Sequence, residues 1–391
     1  MSSRPSVLGA SRSRAKPGKK AVPIGVGGAF VIAYIIAKLL GAVSDPTPRD
    51  GPRSLLSGSA ANCQSGIDAT LRAGELRNQP GREREAAQAY EQAAYAWRGC
   101  GATVEAQEAW ASAGWAWLDA PRDADTLVRA EEAFRSVSEA RMFLWQRSGP
   151  SDAHARASAS LGLGNVFMRK GAPNDWLRAV DCCRAAQTTA QGEKTLIALR
   201  LSALVDEAWC LMPGHVPDTT WADCEAAYRR ADTFASQVSE RQVLNLDELR
   251  ATIAYQLGVC VEQDGDDDTR LGEAVSFYER AEQLAGRIGD ELLQARALLR
   301  ASSVVSPERS ADGDWNRVIE LAGKAERLYE KLERPASRAQ ALWARGLAAR
   351  RTGREDEGRA LLVHARSLFH QAGETERAAE VEADLDPEGN E

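Results

Sequence analysis

Histidine is scarce in this chain, with four in 391 residues. His364 and His370 stand six apart, on different faces of a helix, and His154 and His215 are isolated. No Cys/His spacing suits a structural zinc site. Phosphate loops of the Walker type are missing, because Gly25-Val26-Gly27-Gly28 falls inside an apolar run and not between a strand and a helix. A Gly-x-Ser-x-Gly elbow and a His-Glu-x-x-His helix are missing too. Asp264, Asp266 and Asp268 alternate as in a calcium loop, but Thr269 stands where Gly is required and Val275 where Glu is required. No catalytic residue, metal, cofactor or small-molecule substrate is therefore expected. Lysine is also rare, with eight against 41 Arg, and aromatics make up 6% of the chain although ten of them are Trp. The net charge of −7 is uneven. Residues 1–44 hold seven basic groups and no acid, so the rest is strongly acidic. That argues against a nucleic-acid partner, which requires a basic footprint.

What is present divides by composition. Residues 1–20 are Ser, Arg, Lys, Pro and Gly with little to bury, which reads as a disordered basic arm. Residues 21–43 are apolar except for Lys38. As a helix they would measure roughly 34 Å, enough to cross a hydrocarbon core of about 30 Å. The excess of basic groups before this run places the N-terminus in the cytoplasm and the body outside it. The alternatives are a cleaved signal peptide, given the small residues around Ala42-Val43-Ser44, or a buried helix of a soluble body. Residues 44–60 are a Pro-, Gly- and Ser-rich linker, and 385–391 an acidic tail.

Residues 61–384 carry apolar side chains at spacings of three and four, with much Ala and few β-branched runs, the pattern of amphipathic helices. Turn clusters such as Asn78-Gln79-Pro80-Gly81 and Met212-Pro213-Gly214 punctuate them. A small residue recurs on the first helix of each hairpin: Gly74, Gly114, Gly164, Ala208, Gly258, Ser302 and Gly346. A second series follows on the partner helix: Ala93, Val137, Ala186, Ala231, Ala281, Ala325 and Ala365. Two series marching together at intervals of 40–50 residues indicate about seven helical hairpins whose axes cross closely at the small residues.

These residues resemble the tetratricopeptide repeat. The second hairpin shows Trp110, Ala113, Gly114 and Trp117, then Ala130, Phe134 and Val137; the fifth shows Leu257 and Gly258, then Ala274, Tyr278 and Ala281. The family's period is about 34, so this is a long-helix variant. The stretch Glu85–Trp117 is also similar to the opening hairpins of soluble NSF attachment proteins, through Ala86, Tyr90, Ala93, Trp97 and Ala109-Trp110. The first resemblance implies an all-α fold, an α-α superhelix whose concave groove is lined by first helices and binds protein segments. Carried over, the groove residues are Trp115, Asn165, Met168, Arg169 and Trp209 in the first half, and Tyr255, Glu262, Arg296, Trp343 and Arg350 in the second. Trp110 and Trp117 fall on packing positions. The family's carboxylate clamp in the first unit is not expected, since Leu71 and Glu75 occupy its positions.

Seven cysteines are present. Cys63 begins a first helix and Cys100 ends its partner, so a disulfide is conceivable; Cys210 and Cys224 are the second candidate pair. The alternative is that Cys packs as a small hydrophobe. The expected function is a membrane-anchored, non-catalytic scaffold that holds protein partners in the groove. The alternatives are an NSF-attachment-like cytoplasmic adaptor or a regulatory module of a separately encoded enzyme.

Overall fold

The structure is a computed structural model that describes residues 60–139, 150–265, 267–311 and 313–386. The described residues form fifteen α-helices and no sheet. They are α1 (Ala60–Arg77), α2 (Glu83–Gly99), α3 (Thr103–Asp119), α4 (Ala124–Glu139), α5 (Pro150–Lys170), α6 (Pro173–Ala190), α7 (Ile197–Cys210), α8 (Trp221–Ser236), α9 (Leu246–Asp264), α10 (Asp268–Ile288), α11 (Glu291–Val304), α12 (Trp315–Lys331), α13 (Pro335–Arg351), α14 (Glu355–Gln371) and α15 (Thr375–Leu385). Odd-numbered helices open a hairpin and even-numbered ones close it; α15 stands without a closing partner among the described residues. The described residues form an all-α array of helical hairpins.

Two compact units divide between Asn245 and Leu246. Asn245 has φ 59°, in the left-handed region that Asn tolerates better than most residues. Within each unit the first helices pack on one another, α3 on α5 and α5 on α7 in the N-terminal unit, α9 on α11 and α11 on α13 in the C-terminal unit. Among the described residues, second helices of neighbouring hairpins pack on each other less than first helices do. The first-helix face is thus the inside of each stack.

The recurrent small residues now have a physical account. The Phe134 ring of α4 lies against Gly114 of α3 and Gly162 of α5; a Cβ would stand 2.6 Å from the ring at Gly114 and 2.2 Å at Gly162. Tyr278 of α10 covers Gly258 of α9 in the same way, at 2.7 Å. Contacts that close leave no room for a methyl group, so glycine permits the bulky residue of the closing helix to reach the opening one. Gly74 is the exception, with nothing within 4 Å, so no packing demands a glycine there. Turns follow local chemistry. Gly289 ends α10 at φ 76°, and the next residue, Asp290, accepts the Leu293 N–H to start α11.

Three sequence expectations need correction or placement. The apolar run 21–43, the basic arm 1–20 and nearly all of the linker lie outside the described residues. Among the described residues no helix is long and apolar enough to cross a membrane. The single-pass membrane placement, with the body outside the cytoplasm, is corrected on that ground. The body helices bury one stripe against protein and keep charge on the other face, unlike a span apolar all round. α15 runs to Leu385 and buries Ala378, Val381 and Leu385, and residues 387–391 of the acidic tail lie outside the described residues.

Cys63 and Cys100 are joined by a disulfide, with Cα atoms 5.3 Å apart, closing the first hairpin. Cys210 and Cys224 are not joined; each remains a thiol. Cys224 donates to the Ala208 carbonyl at 3.6 Å, while Cys210 on α7 faces Cys183 on α6. Their shared hydrogen bond, followed by burial, holds the Cys183 thiol well above its ordinary range.

Candidate functional site

The groove residues of the N-terminal unit are engaged inside the fold. Trp115 is buried, and its indole Nε1 donates to Ser158 Oγ at 3.0 Å, tying α3 to α5. Its ring packs edge-on against Phe134, with centroids 5.5 Å apart. Asn165 repeats the device one hairpin later, donating to Asp206 Oδ2 at 3.0 Å and to the Leu161 carbonyl at 3.1 Å. Burial pushes the Asp206 carboxyl up to about 7, with Asn165 pulling the other way. Met168 packs on the cluster formed by Phe167, Val180, Cys210 and Val216. Arg169 donates to the Leu118 carbonyl, and Arg122 to the Arg169 carbonyl. Trp209 is buried beside His215, which itself stacks on Trp176 at 3.9 Å between ring centroids. The Trp209 indole N–H has no hydrogen-bond partner.

Two of the candidates in the C-terminal unit are engaged likewise. Trp343 of α13 donates to Asp384 Oδ2 of α15 at 2.8 Å, and Arg350 to the Asp384 carbonyl. These bonds fasten the last helix. Burial raises the Asp384 carboxyl, opposed by the bond from Trp343.

Tyr255, Glu262 and Arg296 are brought together with residues the sequence reading passed over: Tyr278, Arg300, Arg309 and Tyr329. Glu262, at the end of α9, has its side chain 2% exposed. Tyr278 donates its hydroxyl to Oε2 at 2.6 Å, and Arg309 donates to Oε1 at 2.7 Å. Arg300 lies at 3.6 Å from the same Oε1 and hydrogen-bonds Tyr255. Burial, then the neighbouring Glu262 charge, holds the Tyr278 phenol well above its ordinary range, so it is a donor at any physiological pH. Tyr329 is buried nearby on α12, and Arg296 and Arg300 both act on its hydroxyl. No ion pair engages Arg296 among the described residues. Arg300 and Arg309 were legible as helix-end and turn arginines, but nothing in the repeat pattern marked them, because they converge on Glu262 from 38 and 47 residues away.

The arrangement provides hydrogen-bond donors and positive charge. Both oxygens of its one carboxylate are engaged, which leaves no base free to take a proton. Among the described residues no cluster of His, Cys, Asp and Glu could hold a metal ion.

No protein-family model matches the chain, and no curated protein matches it in sequence. Solved structures are similar in helical arrangement. Aspartyl phosphate phosphatase F from Bacillus subtilis aligns at 9% identity and TM-score 0.47, covering 95% of this chain and 96% of that one. The apo form of RapI aligns at 11% identity and TM-score 0.40, covering 82% and 98%. Yeast Tom70 aligns at 13% identity and TM-score 0.38, covering 90% and 69%. No residue role passes to this chain from any of them.

Proposed function

We propose that the chain is a non-catalytic binding scaffold, and that a segment of a partner protein docks on the first-helix face of its C-terminal unit. One observation carries the reading. On that face the helices α9, α11 and α13 pack side by side, yet Tyr255, Arg296, Leu299 and Leu347 still reach solvent. Partly exposed Tyr and Arg, set on a rigid base, are residue types enriched at protein interfaces. On the same face of the N-terminal unit Trp115 and Asn165 are taken up by hydrogen bonds to the next first helix, while Leu71 of α1 is exposed. A regulatory module serving a separate enzyme remains within this reading, because it too would act by docking.

A photo-crosslinking residue at Leu299, compared with one at the exposed Val363 of α14, tests the proposal in the cell of origin. A discrete adduct from position 299 and none from 363 is expected. Equal labelling from both positions, or none from either, sinks the reading.

A further inference from the structure

Beyond the Cys63–Cys100 bond, the thiols of the described residues are not alike. Cys224 donates to the Ala208 carbonyl at 3.6 Å, and Cys260 is the one cysteine in the described part of the C-terminal unit. Cys182, Cys183 and Cys210 are gathered instead. The first two are adjacent on α6, and Cys210 closes α7, which opens the next hairpin and packs on α6. Neighbouring residues on a helix point about 100° apart. Both cysteines of α6 nonetheless reach Cys210. Cys182 packs on the apolar cluster that holds Cys210, and the Cys183 thiol shares a hydrogen bond with it. Gly164 of α5 also lies against Cys183, where an added Cβ would stand 3.3 Å from the sulfur. The Cys183 sulfur is thus confined by α5 and α7 together.

A cysteine that serves only as a small buried side chain needs no second thiol beside it. Exposure separates the three. Cys183 and Cys210 are buried, whereas Cys182 is half-buried and is the sulfur that a reagent in solvent meets. The Cys63–Cys100 bond is itself a product of thiol oxidation, so a chain that carries it has met an oxidant of thiols.

We propose that Cys182, Cys183 and Cys210 form a thiol–disulfide exchange site, in which Cys182 takes up an external disulfide and the reaction ends in a bond between Cys183 and Cys210 that ties α6 to α7. Cys182, as thiolate, attacks one sulfur of a disulfide R–S–S–R, and the first R–S⁻ leaves with the electron pair of the broken bond. Cys210 attacks the Cys182 sulfur and expels the second R–S⁻. Cys183 then attacks the Cys210 sulfur and releases Cys182 as a thiol. The two leaving thiolates take up the protons that Cys183 and Cys210 give up. In sum, two protein thiols are oxidised to one disulfide and R–S–S–R is reduced to two R–SH. Cys182 sets the pace. Burial, opposed by Arg178 and reinforced by Asp181, Cys210 and Glu131, pushes its thiol up to about 11. Little thiolate is present at neutral pH, so exchange should quicken about ten-fold per pH unit below that value.

The test incubates the full chain with oxidised glutathione, quenches with acid, alkylates the remaining thiols after denaturation and reads the products by peptide mass spectrometry. Wild type should end with Cys183 bonded to Cys210, and with Cys182, Cys224 and Cys260 alkylated. Cys210→Ala should stop at a glutathione adduct on Cys182. Cys182→Ala should reach the same final bond at least about ten-fold more slowly, and wild type should react about ten-fold faster at pH 9 than at pH 8. Circular dichroism melts of each variant guard against misfolding. A lasting adduct on Cys182 in wild type, with Cys183 and Cys210 both alkylated, would overturn the internal bond. An undiminished rate in Cys182→Ala would overturn the entry role of that residue. No reaction of these three thiols in the folded chain, against ready reaction in urea, would overturn the site altogether.

Discussion

The two units build the same hairpin, yet α3 of the N-terminal unit and α13 of the C-terminal unit carry opposite charge. In the N-terminal unit α3 carries Glu105, Glu108 and Asp119 and no base, and its Trp115 is locked to Ser158. In the C-terminal unit α13 carries four arginines and no acid, and α11 leaves Arg296 without an ion pair. Trp115 and Asn165 follow the landmark glycines of their helices directly, a register assigned to a groove. Both are buried and bonded to the next first helix. A repeat register states which way a side chain points, and the residue opposite decides whether it meets a partner or its own fold.

The comparison can be broken or sharpened by measurement, from the largest expected effect to the smallest. Asp206 is the first lever. Its folded-state carboxyl lies near 7, above the ordinary value of 3.8, so protonation favours the folded state. Asp206 should contribute stability to the N-terminal unit in acid and lose it as pH rises from about 4 through 7, by on the order of 4 kcal/mol. Eight of the ten Trp lie before residue 246, so Trp fluorescence in urea at pH 5 and pH 8 reports that unit. Asp206→Asn should flatten the dependence; an unchanged slope would mean that Asp206 is not the group responsible.

The disulfide comes second. Closing a loop with a separation of 37 residues should stabilise the N-terminal unit by about 4 kcal/mol on the chain-entropy estimate. The described part of the C-terminal unit has only Cys260, so reductant should lower the Trp-reported transition and spare any transition of the other unit. Parallel loss of both would mean that the effect of the disulfide is not confined to the N-terminal unit.

Third, Gly114→Ala should cost about 1–3 kcal/mol, because its methyl group would meet the Phe134 ring. Gly74→Ala should instead stabilise by about 0.5–1 kcal/mol through helix propensity alone. Similar effects at both sites, read by denaturant midpoint, would mean that the recurrent glycines mark helix propensity and not packing. The smallest effect is expected at Trp115→Phe, which keeps the edge-on contact with Phe134 and loses the bond to Ser158, worth about 0.5–1.5 kcal/mol. No loss would show that the bond between first helices is dispensable there.

Much of the architecture was legible beforehand. The hairpin count, the closing-helix residues at Phe134 and Tyr278, and the small residues beneath them follow from local periodicity, and local periodicity is written in consecutive residues. Gly162, which meets Phe134 more closely than Gly114 does, was overlooked because the second hairpin and the third share that ring. The candidate site was far less legible. Tyr255, Glu262 and Arg296 were nominated by register, but so were Trp115, Trp343 and Arg350, which the fold engages internally. Cys210 and Cys224 were a candidate pair, whereas the Cys210 side chain turns toward Cys183, a matter of rotation about the helix axis.

By itself the sequence determined an all-helical array, because amphipathic spacing, small-residue landmarks and turn clusters act over a few residues and need no distant partner. Tertiary structure alone decided which charges are spent. Glu262 and Arg309 lie 47 residues apart, Trp343 and Asp384 41, and Asn165 and Asp206 41. Burial makes each of these pairings obligatory, since a polar group taken out of water must find its partner in the fold. What is left after that pairing, such as Arg296 with no ion pair among the described residues, is a property of the packed units and of no segment taken singly.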